Sequence, residues 1–281
     1  MAKLIAADLD GTLFYPKHRI KMISKKALTF IRKRIDDGDH FVVVSGRNNG
    51  DGLKVAKKIN RPIGIIGCNG AIILNEDKEV IKDDTFDGKT AREVIEWIRE
   101  EFHPKGFFVM TDDNKFYLER LFKSPFYNIG YLFWDIYQGV YRTPMIISRK
   151  KFDNAIDTGH GVKIMVMFGI GEKNKLAAKE ANVKIREHFK DRVEASWAYE
   201  FIELSPAGAS KSNGLKFYSD YLKINHSDVY VVGDSGNDIS MFIEFPEHSF
   251  CMSHAALSVS KYASHTVDRF EEIEKYLEER K

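Results

Sequence analysis

A short apolar run near the start of the chain, residues 4–7, is followed at once by Asp8-Leu9-Asp10-Gly11-Thr12. A continuous apolar run of this length predicts a strand that is buried on both faces. Side chains at positions i and i+2 of an extended segment project to the same side, so we expect Asp8 and Asp10 to face one small volume beyond the strand's carboxyl end. Open α/β sheets bind their ligands at that edge. The same residues also suit a plain strand-to-turn connection in which Gly11 supplies a positive φ.

The pattern of a strand-like run that ends in glycine and polar residues recurs along the chain. Residues 41–44 lead into Ser45-Gly46-Arg47, residues 63–66 into Gly67-Cys68-Asn69-Gly70, and residues 228–232 into Gly233-Asp234-Ser235-Gly236-Asn237-Asp238. Segments with helical periodicity separate these runs, and alternating strands and helices predict a parallel sheet with right-handed crossovers. We therefore expect the four turns to lie at one edge of that sheet.

The order of elements changes from about residue 83. A helix and pairs of short strands follow one another up to about residue 199, which suggests two αββ-like units rather than strand-helix alternation. We predict an α/β protein with a Rossmann-like parallel-sheet core, formed by residues 1–82 and 200–281. Residues 83–199 are predicted to form an inserted α+β domain.

Lys211 occupies an unusual place for a cation. Ser210 is a plausible N-cap for a helix that runs to Leu222, which puts Lys211 in the first helical turn. The amino end of a helix already carries partial positive charge, so a lysine there suggests an anion nearby. An exposed lysine is the alternative interpretation.

The predicted sheet edge collects four carboxylates, those of Asp8, Asp10, Asp234 and Asp238. Clustered carboxylates repel one another unless a cation is present, and ligands that are all oxygen select a hard ion, so Mg²⁺ is the expected cofactor. Hydroxyl, ammonium and amide donors around such an ion can hold a phosphate dianion. Asp8 could then attack phosphorus as a nucleophile, while Asp10 protonates the leaving alcohol and later deprotonates the attacking water.

The four spaced motifs resemble those of the haloacid dehalogenase-like superfamily: Asp8-Leu9-Asp10-Gly11-Thr12, Ser45-Gly46-Arg47, Lys211, and Gly233-Asp234-x-x-Asn237-Asp238. The pieces Cys68-Asn69-Gly70-Ala71 and Gly208-Ala209-Ser210-Lys211, with a large insertion between the second and third motifs, resemble its Cof-type phosphatases with an α/β cap. The resemblance implies that residues 83–199 are the cap, which would set substrate specificity.

The resemblance also implies a role for each motif residue. Asp8 would be the nucleophile and a metal ligand, Asp10 the acid/base and a metal ligand through its carbonyl, and Asp234 a metal ligand. The phosphate would be bound by Thr12, Ser45, Gly46, Lys211 and Asn237. Asp238 and Asn69 would support these residues, with Asp238 orienting Lys211 or a metal-bound water.

One departure from the resemblance lies after the fourth motif. Cof-type chains usually carry Gly-Asn-Ala there, and this chain has Ser253-His254-Ala255. Because Asp10 already supplies the acid/base, we expect His254 to be a surface or loop residue.

The composition argues against several classes of partner. Lys and Arg number 43 against 41 Asp and Glu, so the net charge of +2 favours neither nucleic acid nor an anionic membrane. No apolar run reaches membrane-spanning length, and the chain enters its first strand without room for a signal peptide. The two cysteines, Cys68 and Cys251, are expected to be buried free thiols. We expect a cytoplasmic protein that is a monomer or a small homo-oligomer.

The predicted activity is that of a magnesium-dependent phosphatase acting through an aspartyl phosphate. Its substrate would be a small phosphorylated metabolite, either a sugar phosphate or a phosphorylated cofactor precursor, by resemblance to the family. A phosphomutase and a non-catalytic sensor of a phosphorylated ligand are the alternatives. An intact Asp8 and Asp10 pair argues against the sensor, which needs neither a nucleophile nor an acid/base.

Overall fold

Two β-sheets organise the chain, one of eight strands and one of six. The computed structural model describes residues 2–15, 22–138, 145–198 and 201–278. Backbone contacts divide the chain into two compact units. The first includes Met1–Lys82 and Ser210–Lys281, and the second includes Asp83–Ile136 and Arg142–Ala209.

The eight-stranded sheet has the strand order β14-β13-β12-β1-β2-β3-β4-β5. Its strands are β1 (Leu4–Ala7), β2 (His40–Val44), β3 (Gly64–Gly67), β4 (Ile72–Leu74), β5 (Val80–Asp83), β12 (Val229–Gly233), β13 (Ser249–Met252) and β14 (His265–Val267). The strands from β14 to β3 pair in parallel, and β4 pairs antiparallel with β3. β1 is central and wholly buried, as its continuous apolar run requires. The predicted parallel-sheet core is confirmed.

Among the described residues, five helices lie between these strands: α1 (Lys25–Asp36), α2 (Asn49–Ile59), α7 (Lys211–Leu222), α8 (Ile239–Glu244) and α9 (Leu257–Ser260). A further helix, α10 (Glu274–Glu278), follows β14. Side chains cap the amino ends of the longer helices, because an uncapped helix start leaves backbone N–H groups without partners. The Ser24 hydroxyl accepts from the amide of Ala27, and Ser210 accepts from the amide of Asn213. The predicted cap at Ser210 is therefore confirmed, and α7 begins at Lys211.

The second unit contains the six-stranded sheet, in the order β10-β11-β9-β6-β7-β8. Its strands are β6 (Gly106–Thr111), β7 (Phe116–Leu118), β8 (Met145–Ile147), β9 (Gly161–Met167), β10 (Val193–Ala198) and β11 (Phe201–Pro206). Its helices are α3 (Gly88–Phe102), α4 (Pro125–Gln138), α5 (Arg149–Asp157) and α6 (Glu172–His188). Alternate side chains of the strands, such as Val109, Ile164 and Ile202, share one apolar core with Ile95, Phe152 and Ile185 of the helices. The unit is thus an α+β fold.

The second boundary between the units lies further along the chain than the predicted one. The predicted boundary falls at residues 199 and 200, which lie outside the described residues. On either side of it, β10 and β11 pair antiparallel from Val193↔Pro206 to Ala198↔Phe201, and β11 also pairs with β9. The backbone contacts therefore assign the chain to the second unit through Ala209.

Both cysteines are buried and free, as expected. Burial raises the pKa of the Cys251 thiol to about 12, with the charges of Asp234 and Asp238 acting in the same direction. Among the described helices, none has both the length and the apolar character needed to cross a membrane.

Candidate active site

Asp8 is the first residue after the central strand β1. Its amide donates to the carbonyl of Val232 at 3.0 Å, which ties the turn after β1 to the end of β12. Its side chain is buried, and the carboxylate accepts a 2.6 Å hydrogen bond from the ammonium of Lys211. The two residues are 203 positions apart in the chain, so only the sheet brings them together.

Lys211 is 1% exposed and holds two carboxylates at once. Its Nζ lies 2.6 Å from Oδ1 of Asp8 and 2.7 Å from Oδ1 of Asp238. Burial works to lower the pKa of Lys211, but the charges of Asp238 and Asp8 and their hydrogen bonds outweigh it and raise that pKa above its usual value. The anion suggested by a cation at a helix amino end is therefore supplied by the chain itself.

Asp238 is fully buried and uses both of its carboxylate oxygens. Oδ1 accepts from Lys211, while Oδ2 accepts from the backbone amides of Asp234 and Ser235, each at 2.9 Å. The Ser235 side chain donates to the same Oδ2 at 3.1 Å, and these contacts form a capping box over the short turn after β12. Asp238 thus connects the turn backbone to Lys211.

Three carboxylates, those of Asp8, Asp234 and Asp238, place one oxygen each within 4.8 Å of one another. Burial raises the pKa of Asp8 well above its usual range. Lys211 opposes this effect, and the charges of Asp238 and Asp234 add to it. Burial, followed by the charge of Asp238, also raises the pKa of Asp234 to about 6. One ammonium does not neutralise three carboxylates, so the cluster favours the uptake of a further cation or of protons.

The Asp10 carboxylate does not join this cluster, contrary to the expectation from its i+2 spacing. β1 ends at Ala7. Asp8 is still extended, with φ −66° and ψ 162°, but residues 9–13 form a tight turn in which Asp10 has φ −80° and ψ 112° and Gly11 has φ +86°. The strand geometry assumed for the pair therefore stops after Asp8. Instead, Asp10 accepts from Arg47 in a bidentate pair, with Nε to Oδ2 at 2.6 Å and Nη2 to Oδ1 at 2.9 Å.

The turn after β2 brings Ser45, Gly46 and Arg47 to the same edge. Ser45 is buried, and its hydroxyl accepts from the amide of Arg47 at 3.1 Å. Arg47 also donates to Asp51 of α2 at 3.2 Å. Burial works to lower the pKa of the Arg47 guanidinium, but its carboxylate partners Asp10 and Asp51 outweigh that effect and raise the pKa. Arg47 belongs to the Ser45-Gly46-Arg47 motif, but the motif by itself predicted no role for it. Its position two residues beyond Ser45 was the signal available.

The turn after β3 adds Asn69. Cys68, Asn69 and Gly70 all have a positive φ, at 50°, 58° and 100°. The backbone amide of Asn69 donates to the carbonyl of Ser45 at 3.0 Å. The side-chain oxygen of Asn69 accepts from the side-chain NH₂ group of Asn237 at 3.4 Å. The turns after β2, β3 and β12 are therefore in direct contact.

Asp234 has close neighbours on three sides. The Thr12 hydroxyl lies 3.5 Å from its Oδ1, and Nε2 of His254 lies 3.3 Å from its Oδ2. A Cβ on Gly11 would overlap the same carboxylate, so only glycine leaves room for it. His254 is in an exposed turn, as expected, but its contact with Asp234 was not predicted. The contact arises because β13, which precedes His254, pairs with β12, and no sequence signal indicated that pairing.

Comparison with known proteins gives a consistent result. Residues 5–274 match the family model for haloacid dehalogenase-like hydrolases. The chain is 30% identical over 251 residues to "Phosphatase YwpJ" of Bacillus subtilis (strain 168), with 85% of each chain covered. It is 27% identical to "5-amino-6-(5-phospho-D-ribitylamino)uracil phosphatase YwtE" of the same organism, over 90% of this chain and 88% of that one. A solved haloacid dehalogenase-like hydrolase from B. subtilis has a TM-score of 0.79 at 23% identity, covering 98% of this chain and 99% of that chain. The chain therefore belongs to the haloacid dehalogenase-like hydrolases and is a phosphatase of that family.

Proposed function

We propose that this protein is a magnesium-dependent phosphatase that hydrolyses a small phosphorylated metabolite through an aspartyl phosphate on Asp8. The observation that carries the proposal is the buried Asp8–Lys211–Asp238 group with Asp234 beside it. Packing alone does not explain a buried lysine between carboxylates at a sheet edge. Carboxyl groups with perturbed pKa values of this kind are typical of catalytic sites.

The donor set fits Mg²⁺, because the three clustered groups offer only carboxylate oxygens. Asp8 and Asp234 would hold the ion through their side chains. Asp10 would add its backbone carbonyl, since its carboxylate is paired with Arg47. Asp238 already binds Lys211 and two backbone amides, so we assign it the support of Lys211. When bound, the ion would neutralise charge on the transferred phosphoryl oxygens.

Lys211 and Asp8 would act together on the phosphate. Lys211 holds Oδ1 of Asp8 and leaves Oδ2 as the oxygen that would attack phosphorus. The bond from phosphorus to the alcohol oxygen breaks as the aspartyl phosphate forms. The Lys211 ammonium, close to the reacting oxygen, stabilises the negative charge that develops on the phosphoryl group. Thr12, Ser45, Gly46 and Asn237 are proposed to complete the phosphate site.

Asp10 is proposed to handle the protons. As an acid it would give a proton to the leaving alcohol, and as a base it would take one from the water that hydrolyses the aspartyl phosphate. Because Arg47 holds both oxygens of the Asp10 carboxylate, we propose that substrate binding loosens the Arg47 contact before the acid step.

We propose a substrate in which the phosphate is carried by a sugar or sugar alcohol, with the inserted unit acting as the cap that selects the rest of the molecule. Two relatives support this class by name. YwtE of B. subtilis and YbjI of Escherichia coli (strain K12) are both named 5-amino-6-(5-phospho-D-ribitylamino)uracil phosphatases. YbjI is 24% identical to this chain over 260 residues.

Release of inorganic phosphate tests the proposal. The panel contains sugar phosphates, the phosphoribitylamino-uracil, pyridoxal phosphate and nucleotides, each with Mg²⁺ or with EDTA. Asp8→Asn keeps the shape of the side chain and removes the nucleophile, so we expect a loss of more than about 10³-fold. Asp220→Asn, an exposed carboxylate on α7, is the matched control and should retain full activity.

Three outcomes would contradict the proposal. Metal-dependent release that survives in Asp8→Asn would exclude Asp8 as the nucleophile. Tight binding of one compound without any release would favour a sensor, and transfer to an added alcohol without release would favour a phosphomutase.

A further inference from the structure

The turn after β13 brings His254 to the carboxylate cluster. β13 pairs in parallel with β12, so its carboxyl end lies at the same sheet edge as Asp234. The amide of Ser253 donates to the carbonyl of Val267 at 2.9 Å, and that of Ala255 donates to the carbonyl of Met252 at 3.0 Å. The backbone on both sides of His254 is thus held by β13 and β14. The imidazole reaches Asp234 from a supported turn.

Tyr15 supports the imidazole from the other side. The two rings are stacked, with centroids 4.1 Å apart and an angle of 15° between their planes. The guanidinium of Arg269 lies 5.6 Å from the centroid of the Tyr15 ring. Stacking and cation–π contacts of this kind each stabilise a defined ring orientation. Because Tyr15 already has these two partners, its role is better explained by support of His254 than by stacking on a substrate.

The support comes from the loop that carries the nucleophile. The amide of Tyr15 donates to the carbonyl of Thr12 at 3.2 Å, and the amide of Leu13 donates to the carbonyl of Asp8 at 3.2 Å. The stack therefore connects the Asp8 loop to the turn after β13. Asp234 lies between these two segments.

When Asp234 is ionised, its carboxylate only accepts, so Nε2 of His254 donates to Oδ2 of Asp234, across 3.3 Å. Thr12 approaches Oδ1 and the Gly11 backbone packs against the carboxylate. Contacts from two segments, the Gly11–Thr12 turn and the turn that carries His254, therefore orient Asp234.

We propose that His254, supported by Tyr15, is a positioning residue that orients Asp234 and thereby raises the affinity of the carboxylate cluster for a divalent cation. This inference rests on the proposed function, because it takes the cluster of Asp8, Asp234 and Asp238 to be the Mg²⁺ site. Hydrogen bonds to a ligating carboxylate typically change metal affinity by about 10- to 100-fold.

The test measures Mg²⁺ binding directly, by calorimetry on the full-length protein without substrate. His254→Leu removes the donor, and we expect the dissociation constant for Mg²⁺ to rise by about 10- to 100-fold. His254→Gln retains an N–H donor on a flexible chain, and it should recover part of that loss. Tyr15→Leu removes the stacking partner and should weaken Mg²⁺ binding, whereas Tyr15→Phe keeps the stack and should not.

A histidine elsewhere provides the matched control. His188 is also exposed and stacked on an aromatic ring, that of Trp97, at 4.5 Å and 13°. His188→Leu should leave Mg²⁺ binding unchanged. Unfolding in EDTA is followed in parallel, and the His254 variants should unfold at the wild-type temperature, which a purely structural role would not predict.

Activity separates positioning from substrate binding. At saturating Mg²⁺, His254→Leu should regain most of the wild-type kcat, and KM for the phosphorylated substrate should change little. If wild type binds Mg²⁺ and His254→Leu binds it within a factor of about 2, this inference is wrong while the phosphatase proposal stands. If wild type does not bind Mg²⁺, the inference fails together with the magnesium part of the proposed function.

Discussion

Replacing Asp234 with asparagine is predicted to stabilise the metal-free protein. Burial and the charge of Asp238 raise the pKa of Asp234 from 3.8 to about 6. Between those two pH values, the folded state holds a proton on this group that the unfolded state has lost. The protonated Asp234 carboxyl group therefore contributes its full stabilisation of the folded state below about pH 3.8. That contribution is lost as the pH rises through about 6.

The difference between 3.8 and about 6 corresponds to about 3 kcal/mol in the free energy of unfolding. Asparagine keeps the shape of the side chain and never ionises, so it avoids that loss. The hydrogen bonds that Asp234 accepts are long, 3.5 Å from Thr12 and 3.3 Å from His254, and removing part of them costs little. At pH 7.5 in EDTA, we expect Asp234→Asn to be more stable than wild type by up to about 3 kcal/mol.

Urea unfolding followed by circular dichroism at pH 7.5, 6 and 4 provides the assay. The advantage of Asp234→Asn should shrink as the pH falls and nearly vanish at pH 4. Added Mg²⁺ should reverse the order at pH 7.5 once it reaches about 1,000 times its dissociation constant, because at that concentration it stabilises the folded wild type by about 4.1 kcal/mol. Asp220→Asn, at an exposed position on α7, should show neither effect.

Two results would refute this reasoning. One is an Asp234→Asn protein that is no more stable than wild type at pH 7.5 in EDTA. The other is a stability difference that does not depend on pH, since that would arise from packing and not from ionisation.

Two further substitutions test the geometry of the site. Lys211→Met leaves two buried carboxylates without their ammonium, so we expect the free energy of unfolding in urea to fall by about 3–5 kcal/mol. The control Lys216→Met removes a half-exposed ion pair on the same helix and should lower it by less than about 1 kcal/mol. Equal losses in the two variants would contradict the buried pairing. Gly11 has φ +86°, and Gly11→Ala would push a methyl group into the Asp234 carboxylate. We therefore expect the Mg²⁺ affinity measured by calorimetry to fall by at least about 10-fold. Gly208→Ala, at φ +76° with open space around it, should cost only the backbone term of about 1 kcal/mol and leave Mg²⁺ binding intact.

Local sequence determined the core and the ends of its strands. Continuous apolar runs of four residues, as at residues 4–7 and 41–44, indicated strands buried on both faces because they are too short for a buried helix. A cap is likewise a local interaction, so Ser210 indicated where α7 begins. The family of the chain could be predicted for the same reason, since its motifs lie within a few residues of those strand ends.

The extent of the inserted unit needed the tertiary structure. Two strands separated by only two residues, β10 and β11, belong to the same sheet, and the predicted boundary fell between them. A strand pattern shows that a segment is extended, but it does not show which sheet contains its partner. Pairing with β9 decided that β11 belongs to the second unit.

Sequence by itself determined which residue types arrive at the sheet edge, and only the tertiary structure decided which of them pair. Asp8 and Asp10 are two residues apart, yet one pairs with Lys211 and the other with Arg47. The tight turn at residues 9–13 interrupts the strand geometry between the two aspartates. His254 reaches Asp234 because β13 is the neighbour of β12. Side-chain direction beyond a strand end depends on turn dihedrals and on strand order, and neither is encoded in the periodicity of the sequence.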